Sequence, residues 1–232
     1  MKKFRLIYPA LIMGIIELIL LGCSRSTPTY SPDLIDKNPF TGIPCEAPCW
    51  HDLTIGESHE NDVLSKLSML TFIDQSTVYV HKLSLPELDP RVYAQGTEIT
   101  ANCIYSGKHC VRLRVVDNVL TEIILTLDYE INFNEAIDYL GDPHYVGYQD
   151  LGAEVVICEI DLVWSDKQLI LASEDFHGND ALNNCKMVQG THKTTPDLKI
   201  IEARYVSDLA MNSILTSPVG EFFEFTGTAP EK

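Results

Sequence analysis

The chain has 232 residues, 17 of them basic and 33 acidic, for a formal net charge of −16. So acidic a surface repels phosphate backbones and anionic headgroups, which argues against nucleic acid as a partner and leaves membrane attachment to some device other than charge. The length suffices for one large domain or two small ones.

Lys2, Lys3 and Arg5 precede an apolar stretch from Leu6 to Gly22 that is interrupted by Pro9 and Glu17. This charged-then-apolar order predicts an export signal over residues 1–22. The stretch is shorter than the ~20 apolar residues of a spanning helix and contains a carboxylate. Leu20-Leu21-Gly22-Cys23 resembles the lipobox of bacterial lipoproteins. The resemblance implies a diacylglycerol on Cys23, palmitate among its acyl chains, and cleavage just before it. Ser24, next in line, implies no retention at the inner membrane of a two-membrane cell. The expected location is extracytoplasmic, lipid-anchored to the cell membrane or outer membrane. Without residues 1–22, 14 basic residues face 32 acidic ones, a net of −18. Residues 23–44 hold Pro28, Pro32, Pro39 and Pro44 among Ser, Thr and Asp. This composition predicts a flexible tether, with a random-coil reach of ~25 Å.

With Cys23 assigned to lipid, Cys45, Cys49, Cys103, Cys110, Cys158 and Cys185 remain. An even number in an exported chain predicts disulfides. Clustering favours Cys45–Cys49, Cys103–Cys110 and Cys158–Cys185. Zinc on Cys45, Cys49 and His51 is the competing reading, but no second Cys/His couple at the usual spacing accompanies them.

Val63, Leu64 and Leu67 predict a helix over 58–69 with Ser58 as N-cap. Strands are expected at 76–83 and 97–105. Val111, Leu113 and Val115 alternate with Arg112 and Arg114, Asp117-Asn118 supplies a turn, and Thr121, Ile123, Leu125 and Leu127 return; this is a hairpin signature. Asn132 and Glu135 form a capping pair for a helix over 132–141, stopped by Gly141 and Pro143. Segment 153–164 alternates towards Trp164, Ser165-Asp166-Lys167 turns the chain, and 168–173 returns. A polar loop runs from Glu174 to Asp197, and the last strands fit 198–206 and 221–226. The expected class is α+β, short helices on antiparallel sheet. Asp62-Val63-Leu64 with Leu67 matches Glu135-Ala136-Ile137 with Leu140 at a constant offset of 73. The match suggests two tandem similar halves, 45–130 and 131–232.

Leu53-Thr54-Ile55-Gly56 followed by Asp62-Val63-Leu64-Ser65-Lys66-Leu67 resembles the first helix of small SmpA/OmlA-type envelope lipoproteins. Leu140-Gly141-Asp142-Pro143 resembles the Leu-Gly-x-Pro that closes that helix, and the 111–127 hairpin resembles the one that follows it. Pro48-Cys49-Trp50-His51-Asp52-Leu53 resembles bacterial lipoproteins that carry a Pro-Cys-Trp signature. The first resemblance implies a role in envelope assembly.

The chain has no G-x-S-x-G, H-E-x-x-H, P-loop or G-x-G-x-x-G, the motifs that would announce a nucleophile, zinc or nucleotide site. Ser58 and His59 are adjacent, and helical neighbours do not face one another. Glu174, Asp175, Asn179 and Asp180 offer oxygen ligands for calcium without the spacing of the known loop. Tyr145, Tyr148, Phe222, Phe223 and Phe225 read as a packing face or a docking surface. The expectation is a non-catalytic binding or assembly module that needs no cofactor or metal. Its partners are the membrane, through the lipid on Cys23, and another envelope protein. An extracytoplasmic hydrolase with an unrecognised site, or a small-ligand or calcium-binding lipoprotein, is the alternative.

Overall fold

The computed structural model describes residues 36–83, 96–104, 106–150, 157–174, 176–177, 183–185, 188, 191, 193–194, 198–216 and 220–227, all within one compact unit. The expected signal, Cys23 and the first part of the tether lie outside these residues.

The elements in order are α1 (Asn38–Thr41), β1 (Cys49–Trp50), β2 (Leu53–Thr54), α2 (Glu60–Leu67), β3 (Ile73–Leu83), β4 (Gly96–Cys103), β5 (His109–Val116), β6 (Val119–Asn132), α3 (Phe133–Leu140), β7 (Tyr145–Asp150), β8 (Ile157–Trp164), β9 (Leu169–Ser173), β10 (Phe176–His177), β11 (Lys199–Val206), α4 (Asp208–Leu215) and β12 (Gly220–Glu224). The class is α+β, with β predominant. Two features missed in the sequence are the helix α4 and the β1–β2 hairpin, whose turn residues His51 and Asp52 both have positive φ (48° and 64°). Asp117 and Asn118 take the same left-handed geometry between β5 and β6, with φ of 50° and 64°. Two positive φ values are what a two-residue hairpin that matches strand twist requires.

A ten-stranded antiparallel sheet runs in the order β12-β7-β8-β9-β11-β6-β5-β4-β3, and β10 continues the line of β9 along β8. Each of α2 and α3 is followed by a four-stranded meander, β3 to β6 in one case and β7, β8, β9 and β11 in the other. The meanders join where their last strands pair, from Asn132 against Lys199 to Glu122 against Val206. The two sequence halves therefore share one sheet.

One sheet face buries the main core. Thr97, Ile99, Ala101 and Cys103 alternate inwards along β4, as period-two geometry demands. Leu113, Ile123, Leu125, Ala203 and Tyr205 continue that face, covered by Val63 and Leu67 of α2 and Phe133 and Ala136 of α3. On the opposite face Met211 of α4 covers Val163, Ile170 and Val206, so all five residues of β9 are buried. Elsewhere that face carries charged side chains, with Arg114 flanked across the strands by Glu98 and Glu122.

Two expectations are corrected. Residues 36–44, read as the end of the tether, are packed on the body from Asp36, and Asn38, Pro39 and Phe40 are buried. Their polarity and prolines mimic a linker, but a single aromatic on a one-turn helix gives the segment something to bury. Helix α2 is capped at His59 rather than Ser58: the Ser58 hydroxyl accepts from Thr54 N–H at 2.9 Å, while His59 N–H donates to Asp62 Oδ2 at 2.9 Å.

Candidate functional site

The segment entering the body carries Pro39 in the first turn of α1 and Gly42 after its end, in left-handed conformation at φ 63°. This is the usual asymmetry of helix ends. Asp36, just before it, accepts from Trp50 Nε1–H at 2.5 Å and lies 3.0 Å from His51 Nε2. Asn38 Nδ2–H donates to Cys45 O at 3.0 Å, and the Cys45–Cys49 disulfide, Cα–Cα 5.7 Å, closes the loop beneath. The Pro-Cys-Trp-His segment is thus a clamp that fixes the position of α1. His51 serves Asp36 and packs against Phe72, ring centroids 5.4 Å apart. With Cys45 and Cys49 joined in a disulfide, neither offers zinc a thiolate.

Against this fixed segment stands α3. Asn132 Oδ1 accepts from Glu135 N–H at 3.0 Å and Glu135 Oε2 accepts from Asn132 N–H at 2.9 Å, the reciprocal capping pair expected. Between α1 and α3 lies a solvent-open cleft of about 440 Å3 lined by Lys37, Phe40, Thr41, Tyr129, Ile131, Glu135, Asp138 and Tyr139. The Phe40 ring sits edge-on to Tyr129 at 6.1 Å and tilted to Tyr139 at 6.3 Å. Tyr139 is 60 % exposed. Glu135 and Asp138, one turn apart on the exposed side of α3, set two carboxylates beside these rings.

The other sequence-predicted residues fall elsewhere. Cys103–Cys110 and Cys158–Cys185 pair with Cα–Cα distances of 5.6 and 6.6 Å, within the range a disulfide spans. Tyr145 and Phe222 pack with the patch under α4. Tyr148, Phe223 and Phe225 pack against the main core, Phe225 edge-on to Phe133 at 5.6 Å. These aromatics are packing residues. Asp175, Asn179 and Asp180 of the acidic loop lie outside the described residues, and among those described no three His, Cys, Asp or Glu side chains converge on a metal position. Cys23 likewise lies outside them.

A second polar constellation was not foreseen. On the open sheet face Arg204 bonds Glu202, reaches Glu159 at 2.8 Å and lies 3.7 Å from the fully buried Asp161. Burial, reinforced by Asp161, pushes the Glu159 carboxyl up to about 7, opposed by Arg204. Burial alone would lower the Arg204 guanidinium, but three carboxylates outweigh it and hold it charged. Burial and, secondarily, Asp36 push the Tyr205 hydroxyl above its usual range. The cleft was legible only in part: the capping pair that positions Glu135 was read, whereas Phe40, Tyr129 and Tyr139 are far apart in sequence and meet only through the fold.

Three disulfides indicate an oxidising, extracytoplasmic setting. No described helix is long and apolar enough to cross a membrane. No protein-family model, no curated protein and no solved structure matches the chain.

Proposed function

We propose that this chain is a non-catalytic bacterial envelope lipoprotein, held at a membrane by a lipid on Cys23, whose body binds another envelope protein through the aromatic cleft. The observation that carries this reading is the composition of the cleft, with the rings of Phe40, Tyr129 and Tyr139 about an open groove. Such rings supply large contact area at small cost in side-chain entropy, and they dominate the energetics of protein interfaces. The described lining includes no histidine, serine or cysteine, and the Thr41 hydroxyl is already donated to Lys37 O at 3.0 Å. The lining therefore offers no serine–histidine or cysteine–histidine couple of the kind that activates a hydroxyl or thiol nucleophile.

The lipid at Cys23 rests on the lipobox resemblance. Asp36 follows Cys23 by 13 residues, a reach of at most ~45 Å at full extension, so the anchor keeps the cleft near the membrane. We also read the two helix–meander units as copies of one ancestral unit. In support, α2 and α3 are both eight residues long, begin 73 positions apart, and each carries an N3 carboxylate that accepts from its N-cap N–H.

The test places a photoreactive residue at position 139 in the full lipidated chain in its own membrane, with a control at position 209 on α4, 58 % exposed. A discrete protein adduct at 139 and none at 209 is expected. Equal labelling at both positions, or none at 139, rejects the cleft as the binding site.

A further inference from the structure

The cleft's chemistry narrows the partner further, on the premise that the cleft is a protein-binding site. Aromatic ring faces are electron-rich and attract cations. Three rings and two carboxylates, Glu135 and Asp138, line this cleft, against one amine, the exposed Lys37. The whole chain adds a net charge of −16, a long-range field that draws basic ligands and repels acidic ones. An anion entering the cleft would meet carboxylates along the α3 wall.

The surface around the cleft speaks to size. Tyr139 on its rim is 60 % exposed, and Ile43, two residues beyond the lining Thr41, is 73 % exposed. A free amine seated among the rings would leave both uncovered. A polypeptide that inserts one cationic side chain would cover them with its flanking residues. We infer that the cleft receives a lysine or arginine side chain from a segment of a basic partner protein, its ammonium or guanidinium held between the α3 carboxylates and the rings of Tyr139 and Tyr129, which Phe40 backs from the core.

The experiment uses the detergent-solubilised full chain and a fluorescent lysine decamer, with a glutamate decamer and tetramethylammonium as comparison probes, read by anisotropy and competition. Asp138→Asn and Tyr139→Ala alter exposed side chains on the α3 wall, and unchanged circular dichroism in each confirms that the fold is kept. Glu57→Gln removes the same charge from the exposed turn after β2, outside the cleft lining. The expected result is that Asp138→Asn and Tyr139→Ala each weaken lysine-decamer binding by about 3- to 10-fold. Glu57→Gln should change it less than about twofold, as expected for an exposed charge, and the glutamate decamer should not bind. Equal loss in Asp138→Asn and Glu57→Gln would mean that general acidity, not the cleft, binds the probe, and would overturn the inference. So would full affinity in Tyr139→Ala, or tetramethylammonium binding as tightly as the decamer. If the adduct at position 139 forms undiminished under saturating lysine decamer, the protein-binding reading stands and the cationic side chain is excluded. If no adduct forms there at all, the protein-binding reading itself fails.

Discussion

At Gly147 in β7 the ring of Phe222 from β12 lies directly across the backbone, so any Cβ would overlap it. This contact seats the sheet's edge strand and brings Phe222 onto the patch under α4. Gly147→Ala should therefore destabilise by about 1–3 kcal/mol, as overpacking does, and Phe222→Leu in the same chain should recover part of the loss in urea unfolding. If the single variant is neutral, β12 does not dock as described. Glu159 provides a second test. The folded chain holds its proton up to about pH 7, compared with an ordinary value of 4.5. For a carboxyl raised on folding, the stabilising contribution is complete below about 4.5 and is lost as pH rises through about 7. Glu159→Gln keeps an acceptor for Arg204 and removes the titration. It should flatten the pH dependence of unfolding free energy across that window by on the order of 1–3 kcal/mol. A variant with the wild-type slope would show that other groups set it. Glu60 acts in the opposite sense: its bonds from Lys82 and Thr97 lower its carboxyl, so its contribution is lost as pH falls.

Elements whose signal is local were readable. The cap of α3 was written in Asn132 and Glu135, and the β5–β6 hairpin in alternating residues around Asp117-Asn118. Asn132→Ala should cost ~1 kcal/mol and Asn132→Ser very little, since a serine hydroxyl also accepts from the first turn. The Glu135 carboxylate accepts from the backbone N–H of residue 132, which the Ala variant keeps, so lysine-decamer binding should change little, and a large loss would tie the cap itself to the site. Helix α4 was overlooked although Ser207 caps it, accepting from Ala210 N–H at 3.4 Å. Five of its eight residues are apolar, but what its buried Met211 covers, the apolar patch of Val163, Ile170 and Val206, is assembled only by the sheet. Ser58 misled because a turn hydrogen bond and an N-cap ask for the same residue type. Phe40 was hidden for a different reason: a single aromatic among prolines and polar residues has no periodicity, and its partners Tyr129 and Tyr139 are remote in sequence.

At the scale of the molecule, the sheet joins both meanders into one body, and Asp36, Asn38 and Phe40 are part of it. This bears on how it is anchored. Two readings of residues 6–22 remain distinct in what they expect of Cys23. Under the lipoprotein reading the apolar stretch is removed and the lipid alone holds the chain. Cys23→Ser would then leave a chain that is neither acylated nor anchored by lipid. Under an uncleaved-anchor reading Cys23 is incidental and the variant stays in the membrane. The substitution lies 13 residues before Asp36 and touches no described contact, so folding should be unaffected in either case. The expected outcome is wild-type protein that partitions into detergent and carries acyl mass on Cys23. Cys23→Ser should lack that mass while its far-ultraviolet circular dichroism and its three disulfides stay unchanged. Unmodified Cys23 in the wild-type chain, or a wild-type chain that still carries residues 1–22, would overturn the lipid anchor. The cleft would then be held near the membrane by a protein segment, and the same crosslinking and lysine-decamer measurements would apply to it without change.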